Sequence, residues 1–169
     1  MERDRYILNI KRIALSLFIF MLQLMFADYF RIFGVAPNIA FSFVLSVALL
    51  NDFKYMINNA IFLGLALDAV SGRIFGAYTF MFVIIAFLMS EFYHSAFSEN
   101  FVIESLYAFI ATFLYSVLFA FLNSLFSGSF IILLSKLAII EWIYNFLIFL
   151  LFRFIQGMFK KRRRNIFFN

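Results

Sequence analysis

The sequence predicts an all-α fold, a polytopic bundle of transmembrane helices, and three observations carry that prediction. Apolar residues make up 66% of the 169 positions and charged residues 14%, whereas a water-soluble surface draws on roughly a quarter of charged residues. The mean hydropathy is +1.00. The charges gather at the two ends and in short gaps between apolar runs, and about 20 apolar residues in a helix cross a bilayer core. Open strands leave backbone groups unpaired in lipid, so a helical bundle follows. No polar stretch is long enough to fold separately, so residues 1–169 form one transmembrane domain.

Six spans are read in order. The first, about 13–33, follows the basic residues Arg3, Arg5 and Arg12 and lacks a small-x-small cleavage signal, so it is expected to be retained. The second, about 36–50, opens at Pro37, the only proline, whose missing N–H costs nothing at a helix start. Asn51, Asp52 and Lys54 turn the chain into a third span, about 55–70, and Ser71, Gly72 and Arg73 end it. A fourth, about 74–93, leads into a hydrophilic loop from Glu91 to Glu104. The fifth, about 105–126, is joined through Ser127, Gly128 and Ser129 to the sixth, about 130–152, before a basic tail, 153–169. Spans two and three are short, which leaves a re-entrant pair and four crossings as the alternative. Either count is even, and the positive-inside tendency then places both termini in the cytoplasm.

Few side chains break the apolar runs. Ala60, Gly64, Asp68, Gly72 and Gly76 recur every fourth residue, and small residues on one helix stripe let another backbone approach closely in lipid. One reading is a groove that docks a partner helix; the other is internal packing with a turn-stabilising aspartate. Asp28 and Asp68 are expected near the outer surface, pairing with Arg31 and Arg73. Glu141 is placed about 16 Å deep at 1.5 Å per residue, where a charge is expensive. Its expected partners are Asn145, one turn on, and Gln23 of the first span, forming a buried polar knot; a proton or substrate site is the rival. Lys136 lies close enough to the outer boundary to snorkel. His94 with Glu91, Glu99 and Glu104 is a weak metal pattern, better read as a solvated loop.

Lys160, Lys161, Arg162, Arg163 and Arg164 follow the last span directly. With Arg3, Arg5 and Arg12 they account for eight of the fourteen basic residues, so the net charge of +5 reflects topology and anionic lipid, with docking of an acidic partner as the alternative. It does not point to nucleic acid. The chain has no cysteine, which removes disulfides, thiolate metal sites and a cysteine nucleophile. It has no H-E-x-x-H, no G-x-S-x-G and no P-loop, so no metal, cofactor or hydrolytic machinery is expected. An aspartyl dyad of Asp28 and Asp68 stays formally open.

The basic start, Pro37-Asn38 opening an apolar run, and the segment from Gly64 through Asp68 and Gly72 to Gly76 resemble the MreD family of bacterial rod-shape-determining membrane proteins. Asn58, Asn59 and Ala60 stand where that family often carries further glycines, and Glu141 maps to no family feature. The resemblance implies a non-enzymatic scaffold in the cytoplasmic membrane, part of the cell-elongation complex. Its implied partners are MreC, the actin-like MreB, and the glycan polymerase RodA with its transpeptidase. The implied plan is similar to the substrate-capture subunits of energy-coupling factor vitamin transporters, and such a subunit is the rival function.

Overall fold

The computed structural model describes residues 2–49, 53–71, 75–95, 101–127 and 137–166. They form six helices in chain order: α1 Glu2–Phe26, α2 Ile39–Ala48, α3 Phe53–Ser71, α4 Ala77–Ser95, α5 Phe101–Ser127 and α6 Leu137–Ile166. No strand occurs among the described residues, only an isolated bridge between Ile32 and Val35. The architecture is all-helical, as the hydropathy predicts.

The arrangement is set by α2. At 10 residues it is about 15 Å long, half the thickness of a bilayer core, yet every residue from Ala40 to Leu49 is buried. The other five helices all contact it. α3 and α4 form a tight antiparallel pair on one flank, α5 and α6 on another, while α1 lies across α2 and α3. Phe41 of α2 stacks on Tyr115 of α5 at 4.0 Å between ring centroids and meets Phe82 of α4 at 5.5 Å, so one aromatic cluster joins three helices.

The interior is an apolar core that also holds polar side chains, and the exterior is rich in large apolar ones. Ser16, Asn59, Asp68, Glu104, Glu141 and Asn145 are buried, whereas Phe18, Phe80, Phe113, Leu147 and Phe154 are exposed. A continuous apolar exterior of this kind needs an apolar surrounding. Two helical stretches, Phe101–Leu122 and Ala138–Met158, are long and apolar enough to cross a membrane.

Several boundaries differ from those read in the sequence. The first span does not continue to residue 33: α1 stops at Phe26, and Phe33 and Gly34, both at positive φ, turn the chain back toward Pro37. Glu91 and Glu104 are not loop residues, because α4 runs on to Ser95 and α5 begins at Phe101.

Candidate functional site

The beginning of α2 lies inside the bundle, where its first N–H groups have no helical acceptors and need side-chain partners. Side chains from three other helices converge there. Gln23 of α1 accepts from the N–H groups of Ile39 at 2.6 Å and Ala40 at 3.2 Å, and its own amide donates to the Pro37 carbonyl at 3.1 Å. Asn38 caps the helix by accepting from Phe41 N at 2.9 Å, and its side-chain amide donates to the Tyr115 hydroxyl at 2.6 Å. Asn145 of α6 accepts from Asn38 N at 2.8 Å, while Ser42 donates to the Asn145 carbonyl at 2.9 Å. Proline presents no N–H, so the backbone from Pro37 to Phe41 has no orphaned donor.

Beside this junction lies a cleft of about 470 Å³, at the end of the bundle where α1 and α3 finish and α2 and α4 begin. Gln23, Asn38, Tyr78, Tyr115 and Glu141 contribute its polar lining, and Leu67, Phe119 and Ala138 part of its apolar lining. Asp28 and Arg31 stand at its edge, joined by an exposed ion pair of 2.8 Å. The sequence reading centres a polar knot on Glu141. The structure brings Gln23 and Asn145 together at the Pro37–Asn38 turn, and Glu141 is buried beside the same cleft. It sits one turn into the described part of α6, level with the cleft that Asp28 and Arg31 border.

The small-residue stripe faces inward. Ala60, Gly64 and Asp68 are all buried, and a methyl group added at Gly64 would stand 2.5 Å from the Thr79 Cα of α4. The expected groove for a partner helix is therefore filled by the chain's own α4. Asp68 is buried, and its carboxylate accepts from Tyr78 N at 2.9 Å, from Thr79 N at 3.1 Å and from the Thr79 hydroxyl at 2.6 Å. It caps α4 from the neighbouring helix, where the helix dipole favours a negative charge. Gly76, at φ +93°, makes the turn into α4, and its carbonyl accepts the first helical bond from Phe80 N at 2.9 Å. Gly72 and Arg73 lie outside the described residues, as do Lys136 and Glu99. Residues 160–164 continue α6, but their side chains, like that of His94, lie outside the described ones.

Polar contacts on two flanks of the bundle were not expected from the sequence. Glu104, at 1% exposure, pairs with Arg153, fastening the start of α5 to the middle of α6. Near it Gln156 donates to the Ser46 hydroxyl at 3.1 Å. On the opposite flank Ser16 of α1 donates to Asn59 of α3, and the Arg12 guanidinium lies 4.4 Å from the centre of the Tyr55 ring. One signal was available for the ion pair: Glu104 is the single acid in α5, and Arg153 the single base of α6 before its terminal basic cluster. Lone opposite charges in two neighbouring apolar helices are each other's cheapest partners.

No group of three or more metal-ligating side chains occurs among the described residues. The fold and its buried polar junctions define an all-helical protein, with two stretches apolar enough to cross a membrane, whose buried polar side chains position its helices. The chain matches the family described as rod shape-determining protein MreD over residues 5–163. It belongs to that family, and with it to the proteins that determine rod shape. No curated protein and no solved structure gives a match.

Proposed function

We propose that this chain is a non-enzymatic scaffold of the bacterial cell-elongation complex, embedded in the cytoplasmic membrane with six crossings and both termini inside. It docks the single-span protein MreC and couples cytoplasmic MreB to peptidoglycan synthesis by RodA and its transpeptidase. The family match across nearly the whole chain carries this reading. The geometry supports it: the buried polar groups cap helices and pair with one another, which is how a rigid framework is built. The partner helix has the exposed apolar flanks of the bundle to dock on, since the Gly64 stripe is taken by α4. The cluster Lys160 to Arg164 supplies an anionic-lipid contact on the cytoplasmic side.

Depletion in the host, with cell shape as readout, tests the proposal: rounding is expected, and intact rods would overturn it. Copurification of MreC with the full chain tests the docking step separately. The cleft of about 470 Å³ favours one second reading, capture of a small substrate as in the vitamin transporters. That reading requires a bound small molecule in the protein purified in mild detergent, and a vitamin requirement on depletion.

A further inference from the structure

Between α1 and α2 the chain forms a small hairpin. Ile32 and Val35 exchange both backbone hydrogen bonds at 3.0 Å, closing a two-residue turn over Phe33 and Gly34, at φ +51° and +84°. Turns with two positive φ values favour Asn-Gly or Gly-Gly, and Gly34 is at ease there. Phe33 is not, because a bulky residue in the left-handed region is a genuine outlier. Its ring gains little from its own chain, since the residue is 85% exposed, and Tyr29 is 87% exposed. Strain and exposure thus fall together on one aromatic residue.

The surroundings indicate what covers it. Leu24, Met25 and Phe26 are exposed on the last turn of α1, so the apolar exterior of the helix leads to the tip, with buried Ala27 and the charged Asp28 between them. The Asp28–Arg31 pair and the Tyr29 hydroxyl provide polar groups within the same few residues, the mixture that suits the boundary between headgroups and acyl chains. Tyr144 of α6 donates to the Phe30 carbonyl at 2.7 Å and holds the hairpin against the bundle. Phe75, in the neighbouring turn, is exposed as well.

We propose that the 29–33 tip is a lipid-interface anchor, with the Phe33 and Tyr29 rings seated in the membrane surface at the end of the bundle where the cleft lies. The anchor fixes how deep that end sits, a role separate from any protein docking.

The absence of cysteine makes the test direct. Phe33→Cys and, separately, Tyr29→Cys are carried by the full chain, nitroxide-labelled, and reconstituted in vesicles of phosphatidylethanolamine and phosphatidylglycerol. Collisional relaxation by oxygen, which concentrates in lipid, is compared with that by a water-soluble nickel chelate. Stronger relaxation by oxygen than by nickel at both sites is the expected result. Dominance of nickel would overturn the anchor, and so would protection from both reagents, which would mean that another copy of the chain covers the tip. Phe33→Trp in a Trp142→Phe background gives an independent reading. Its emission is expected to be quenched by lipids brominated near the headgroup and spared by iodide; the reverse would count against the proposal.

Discussion

Gly64 shows what a single missing side chain does in this fold. The clash of an added methyl is with the backbone of Thr79, 2.5 Å away, so α3 and α4 can relieve it only by moving apart. Gly64→Ala should cost about 1–3 kcal/mol, the usual penalty of overpacking, read as a lowered midpoint of thermal unfolding in detergent. Asp68 works on the same interface through hydrogen bonds. Asp68→Ala orphans the Tyr78 and Thr79 N–H groups and should cost about 1–3 kcal/mol, with Asp68→Asn recovering part of it because one acceptor remains. A stability unchanged by Asp68→Ala would show that the capping bonds contribute nothing. The spacing of Ala60, Gly64 and Asp68 made a close helix contact legible in the sequence. Which helix would approach was not legible, since a small-residue stripe records proximity and leaves the neighbour unnamed.

The same division between what is local and what is not governs the elements. The start of α2 was readable from Pro37 and Asn38, whose chemistry acts on the next three residues. That Gln23 and Asn145 also serve this start was not, because they come from helices 14 and 107 residues away. Gln23→Leu leaves two buried N–H groups without acceptors and should cost about 1–3 kcal/mol for each. Combined with an Asn145→Leu change the loss should be non-additive, because both side chains hold the same turn. Additive losses in chemical unfolding would mean that the turn is held at two independent points. Glu104 was hidden for a related reason: it follows a polar stretch and mimics a loop residue, and only the pairing of α5 with α6 buries it. Breaking one side of such a pair, as in Glu104→Leu or Arg153→Met, should cost about 3–5 kcal/mol, whereas the double change should be close to neutral. Copurification of MreC with the double variant would then separate a structural bond from a functional one.

At the scale of the molecule, the helices alternate in direction around α2. The junction of α1 with α2, the end of α3, the start of α4 and the start of α6 all border one cleft. The termini consequently belong to the opposite end, together with the basic residues in the first half of α1 and at the close of α6. In the proposed topology the basic residues stay on the cytoplasmic side, as the positive-inside tendency favours, and the cleft end faces outward. In the chain without cysteine, Glu2→Cys and Asn165→Cys should resist a membrane-impermeant maleimide in intact cells and react once the membrane is opened. Ser129→Cys should react in both conditions. Labelling of a single terminus in intact cells would require an odd number of crossings and would overturn the proposed topology. With about 15 Å of helix and a start capped inside the bundle, α2 is the element on which that outcome turns. Protection of both ends would mean an even number of crossings, six or, with the second and third spans as a re-entrant pair, four.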